Sequence, residues 1–180
     1  MRSDLVKKFG SLDADLFAYH EDVEYSLRLK LAGFKVAMIR DAIFHHKYEF
    51  NRSSSKFYFM ERNRYAVLLM YYRTVTLILL LPILLFMEIG LLVFFLLKGW
   101  GNEKFKIYAY WLDLKNWRMW LSKRKKIQQL RTIGDRELVR MSAGKIIFGV
   151  KPDMNNPLLV YVANPLMVVY RAIVRVIIFW

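Results

Sequence analysis

The polar and apolar positions divide the chain into a mixed first third and a greasier remainder. "DLVKKF", residues 4 to 9, is a short apolar helix candidate that Gly10 ends, and the loop "SLDADLFAYH" follows. The next run, "EDVEYSLRLKLAG", fits two periods: Leu27, Leu29 and Leu31 alternate as in a strand, whereas Val23, Leu27 and Leu31 recur at i, i+4. Its ends decide for a helix, because Glu21, Asp22 and Glu24 open it, Arg28 and Lys30 lie late, and Gly33 closes it. "FKVAMI" then predicts a strand and "AIFHH" a second, short extended piece. The polar "NRSSS" supplies serines to cap a further helix, "KFYFMERNRYAVLLMYYR".

From residue 74 to residue 98 the chain is almost wholly apolar, "TVTLILLLPILLFMEIGLLVFFLLK", and about 20 such residues cross the hydrocarbon of a bilayer. Pro82, Glu88 and Gly90 interrupt it. Two arrangements fit: a single span, or a re-entrant hairpin bent near Glu88-Ile89-Gly90. The hairpin keeps both basic flanks on the cytoplasmic side and spares Glu88 the bilayer centre. Residues 104 to 145 hold twelve Lys and Arg, three acids and Trp111, Trp117 and Trp120, the pattern of interfacial helices. Residues 156 to 180 form a second apolar segment. Its Pro157, Pro165, Arg171 and Arg175 suit a dipping or short helix better than a clean span.

Composition sharpens this picture. The 180 residues are 56% hydrophobic, yet carry 29 Lys and Arg against 15 Asp and Glu, with most of the excess cation after Arg73. Basic residues interleaved with Trp, Tyr and Leu favour lipid over nucleic acid, so membrane lipids are expected as partners and nucleic acid is not. The chain has no cysteine, which excludes disulfides, thiolate metal sites and cysteine nucleophiles. No signal peptide pattern opens it.

Read singly, Glu21 and Asp22 suit capping acids at a helix start, and His45 and His46 suit structural or solvated residues at a strand end. In order, the same residues form a more specific set: Gly10 with "SLDAD", Phe17 and Tyr19, Glu21-Asp22, "LRLKLAGF", "KVAMI" and "DAIFHH". This series resembles the C-terminal half of the catalytic domain of family 2 glycosyltransferases, especially bacterial rhamnosyltransferase-like enzymes of surface polysaccharide synthesis. It covers residues 1 to about 65 closely and extends loosely through "FYFMERNRYAVLLM".

The resemblance implies an α/β fold, the C-terminal half of a Rossmann-like GT-A domain over residues 1–66, followed by membrane-associated helices over 67–180. It implies an inverting transfer of a sugar from a nucleotide-sugar donor, dTDP-rhamnose being one candidate, to a lipid-linked or polysaccharide acceptor at the cytoplasmic membrane face. Asp22 matches the general base and His46 the ligand of a divalent cation, Mg2+ or Mn2+, with His45 ranked second. Glu21 is expected to orient the loop or touch the acceptor, and Arg62 and Arg64 to meet substrate or lipid phosphate. Asp13-Ala14-Asp15 spells Asp-x-Asp but lies on the acceptor side, so both acids are expected to be ordinary loop residues. The family's nucleotide-binding strands and its own Asp-x-Asp precede the matched region. The expectation is therefore a chain inactive alone, completed by upstream sequence or by a separate N-terminal piece. The rival reading is a noncatalytic membrane-binding module.

Overall fold

The computed structural model describes residues 3–37, 39–43, 45, 54–146 and 157–180. Of these residues 75% are helical, and none of them lies in a strand. The helices are α1 (Ser3–Phe9), α2 (Glu21–Leu31), α3 (Ser54–Tyr71), α4 (Thr74–Leu97), α5 (Gly101–Leu112), α6 (Leu114–Gln129), α7 (Asp135–Met141) and α8 (Asn164–Ile177). A 3-10 turn, Ala14–Leu16, precedes α2, and a π-helical turn, Leu159–Ala163, runs into α8.

The expected α/β Rossmann-like fold is therefore corrected. Residues 34–37 and 39–43, where strands were expected, are irregular, and Val36, Ile39 and Ile43 are exposed. A strand exists by exchanging backbone hydrogen bonds with a neighbour, and no second extended segment among the described residues supplies one. Local β-propensity alone does not hold a ladder.

The helix expectation for residues 21 to 33 is met, although Val23 of the expected i, i+4 stripe is exposed. Three acids open α2, and Gly33, at φ +85°, ends it in a Schellman arrangement. Phe34 N donates to Leu29 O at 2.9 Å and Gly33 N to Lys30 O at 2.9 Å.

The chain forms two compact units, Met1–Tyr71 with Leu91–Ile133, and Tyr72–Gly90 with Gly134–Trp180. In the first, α3 packs on α5 and α6. Its buried side chains include Leu16, Leu31, Met70, Tyr71, Ile107 and Trp120. Phe57 of α3 meets Phe94, Phe95 and Trp100 in an aromatic cluster with ring centroids 5.2 to 6.1 Å from Phe57. Trp120 is fully buried, with Nε1 donating to Tyr110 Oη at 2.9 Å, so this tryptophan is core and not a membrane anchor.

In the second unit Val139, Val174 and Ile178 form the core, covered by Tyr72, Leu79, Leu80, Tyr170 and Trp180. Asp135, at the start of α7, accepts from Arg73 N at 2.7 Å.

The hairpin bend expected near Glu88-Ile89-Gly90 is absent. α4 runs unbroken for 24 residues through Pro82 and Gly90. Gly90 takes ordinary helical backbone and would meet nothing with an added Cβ, so it weakens the helix without breaking it. Two helical segments, Thr74–Leu97 and Leu159–Ile177, are long and apolar enough to cross a membrane.

Candidate functional site

The loop that leads into α2 is held in an unusual shape. Phe17, Tyr19 and His20 all have positive φ, at 60°, 65° and 68°, a region that costs a residue with a Cβ of order 1–2 kcal/mol. Such a backbone persists only where its surroundings determine it, and α3 supplies those surroundings. Asn63, fully buried, donates through Nδ2 to the carbonyls of Leu16, Ala18 and Tyr19 at 2.7, 2.8 and 2.7 Å. Arg62 donates through Nη2 to Asp15 O at 2.8 Å and Leu16 O at 3.0 Å, and its Nε reaches Asn63 Oδ1 at 2.9 Å. The Arg62 guanidinium also lies 5.0 Å from the Phe59 ring and 5.3 Å from that of Tyr110.

This clamp presents His20, Glu21 and Asp22 at the first turn of α2. Asp22 is exposed, and its Oδ1 accepts from Val23 N at 2.7 Å. Glu21 is half-buried, with Oε2 lacking a hydrogen-bond partner among the described residues, and His20 Nδ1 is in the same position. Orphaned polar atoms are uncommon away from working sites. Burial pushes the His20 imidazole below its usual 6.5; Glu61, Asp22 and Glu21 oppose that and Arg64 adds to it.

Below this turn a buried network fixes the helix. Tyr71 Oη donates to Glu24 Oε1 at 2.6 Å and reaches Glu24 O at 3.0 Å. Arg28 pairs with Glu24 and donates through Nη1 to Phe9 O at 2.8 Å and Ser11 O at 3.1 Å. Burial, and then the Glu24 carboxylate, push the Tyr71 phenol well above its ordinary value, so it stays a donor.

The structure thus brings Glu21, Asp22 and the "ERNR" segment into one neighbourhood. Arg62, expected to meet phosphate, has loop carbonyls as its partners. Arg64 pairs with Glu61 at 2.9 Å and stacks 4.6 Å from the Tyr65 ring. His45 is exposed in an irregular segment. His46 lies outside the described residues. Among those residues no three His, Asp or Glu side chains converge to hold a metal ion.

Asp13 and Asp15 both contact Lys123, at 2.5 Å each, and Asp13 Oδ1 also caps the 3-10 turn by accepting from Asp15 N at 3.0 Å. Sequence reasoning missed Asn63, whose only signal was its place between two arginines that drew the attention. It also missed His20 and the acid–Lys123 contact, which joins residues 110 positions apart. No family model matches the chain, and no curated protein or solved structure matches it either.

Proposed function

We propose that this chain serves glycosyl transfer at a membrane surface, contributing the acceptor-side carboxylate and the contact with lipid. The observation that carries the reading is the clamped loop: three positive-φ residues, pinned by two side chains of α3, hold Glu21 and Asp22 at an open helix start. Strain maintained in this way is a mark of sites where geometry matters more than stability. The ordered motifs of residues 10 to 46 supply the chemistry.

In that reaction an acceptor hydroxyl hydrogen-bonds to the exposed Asp22 carboxylate. As its oxygen bonds to the anomeric carbon of the nucleotide sugar, the bond from that carbon to the diphosphate breaks. The hydroxyl proton passes to Asp22, and the nucleoside diphosphate leaves with the bonding electrons. Glu21 and His20 border the acceptor. The arrangement needs in-line substrates and a base but no protein nucleophile.

The membrane part of the reading rests on exposed apolar faces. On α4, Ile78, Leu81, Leu85, Ile89, Val93 and Leu96 form an i, i+3/i+4 stripe, and all are exposed. The end of α4 belongs to the first unit, where Phe94 and Phe95 pack on Phe57, while residues 74 to 90 belong to the second. The first unit buries Glu24, Arg28, Glu61, Arg62 and Lys104, a core suited to water and not to hydrocarbon. Accordingly α4 lies along the cytoplasmic interface, and a lipid-borne acceptor meets Asp22 in two dimensions, at raised effective concentration.

The test replaces the gene in its own cell with Asp22→Asn and follows radiolabelled sugar into the lipid-linked glycan fraction. Loss of about 10²–10⁴-fold is expected from removing a general base; labelling at the normal rate, with normal protein abundance, would overturn the catalytic reading. The noncatalytic membrane module is the second reading, favoured by the commitment of Arg62 and Asn63 to loop carbonyls. It predicts that Asp22→Asn changes nothing while membrane partition persists.

A further inference from the structure

The second unit contains a basic niche that glycosyl transfer does not use. Arg136 and Arg140 stand one helical turn apart on α7, and Arg171 and Arg175 one turn apart on α8. Arg136, Arg140, Arg175, Ala172 and Val176 line a hollow of about 410 Å³ between these helices. Three of the five lining residues are exposed arginines, and none is a carboxylate. Arg171 braces the pair of helices by donating to Arg140 O at 3.0 Å, passing over Gly144, where a Cβ would come within 3.0 Å of its Cδ.

The niche opens beside an apolar stripe on α8. Leu166, Val169, Ile173 and Val176 are exposed at i, i+3/i+4 spacing, Val176 at 84%. Val176 belongs to both the stripe and the hollow. A ligand that satisfies both has an anionic head with several acceptor oxygens and an apolar tail attached to it. Guanidinium forks match phosphate oxygens bidentately, and Ala172 leaves room for the group to approach the helix.

We propose that Arg136, Arg140 and Arg175 bind the phosphate of one anionic phospholipid headgroup, whose acyl chains run along Val169, Ile173 and Val176. The site rests on the membrane-surface part of the reading above and is independent of glycosyl transfer. It makes the second unit a reader of anionic lipid, where charge spread over the chain would give only general attraction.

Flotation of the full chain tests this, with vesicles of phosphatidylcholine and of phosphatidylcholine containing phosphatidylglycerol. The triple variant Arg136→Gln/Arg140→Gln/Arg175→Gln is compared with a charge-matched control, Lys115→Gln/Arg118→Gln/Lys125→Gln, whose positions are exposed on α6. The control loses the diffuse attraction of three cations. The niche variant is expected to lose about tenfold more partition to phosphatidylglycerol vesicles than the control, with the two equal on phosphatidylcholine. Arg136→Lys/Arg140→Lys/Arg175→Lys, which keeps charge and removes the forks, is expected to fall between wild type and the glutamine triple. Equal losses for the two glutamine triples would overturn the site and leave the membrane reading standing. Equal partition losses of the two glutamine triples together with inorganic phosphate binding that only the niche triple loses would assign the niche to free phosphate and overturn the lipid assignment. Failure of the wild-type chain to float with either vesicle would overturn both.

Discussion

Asn63 shows how much one side chain can decide. Its amide has two N–H groups and three carbonyls to serve, so one hydrogen is shared, and every atom involved is tied to the loop that carries Glu21 and Asp22. Asn63→Leu keeps the volume and strands the Ala18 and Tyr19 carbonyls, while Leu16 O keeps Arg62. We expect about 1–3 kcal/mol of destabilisation in detergent melts, with faster hydrogen exchange of the loop amides; exchange unchanged from wild type would deny Asn63 its clamping role.

His20 gives a second prediction at this scale. Its folded-state value lies below 6.5 because burial disfavours the imidazolium against the pull of Glu61, Asp22 and Glu21. The sign follows: the unfolded chain takes up the proton first as pH falls, so stability is intact above 6.5 and declines from there down to the lowered folded value. His20→Gln should flatten that part of the stability–pH curve, and an unchanged slope would show the proton goes elsewhere. Neither residue was legible in the sequence. Asn63 matters through contacts 44 to 47 positions apart, and His20 through its burial and the charges of Glu61 and Arg64, none of which periodicity encodes.

Elements were legible where local rules agree with one another. α2 was legible from its dipole pattern and its Gly33 C-terminal cap, whereas its N-cap, His20, makes no side-chain hydrogen bond and Val23 of the expected i, i+4 stripe is exposed. The two strands failed because a strand is a property of a pair, and "FKVAMI" carries no information on its neighbour. The run from residue 74 misled differently: Gly90 and Glu88 suggested a bend, yet the hydrogen-bond ladder needs neither a side chain nor neutrality to continue. Gly90→Ala therefore tests α4 directly. In an unbroken helix with open space around the position it should stabilise by about 0.5–1 kcal/mol, read as a higher melting temperature in detergent. Destabilisation would point to a bend there. Likewise Tyr71→Phe, which leaves the buried Glu24 carboxylate without its phenolic donor, should cost about 1–3 kcal/mol in the same assay; no change would place Glu24 outside the network that fixes α2.

At the scale of the molecule, the basic flanks on both sides of α4 pose the question that the helix alone leaves open. A helix of 24 residues is about 36 Å long, longer than the roughly 30 Å hydrocarbon thickness, so length permits a crossing. Its attachments oppose one. Tyr71 at the end of α3 and Phe94 and Phe95 near the end of α4 belong to the same compact unit, whose interior holds an Arg28–Glu24 pair and a fully buried Lys104. Drawing that unit into the bilayer would pull buried charge into lipid, at several kcal/mol for each unsatisfied group. The interfacial placement proposed above avoids that cost and keeps the cations before and after α4 at one face. Because the chain has no cysteine, single replacements report cleanly. Arg73→Cys and Lys98→Cys, both exposed and flanking α4, should react with an impermeant maleimide only in inside-out vesicles. Labelling of the two from opposite faces would mean that α4 spans.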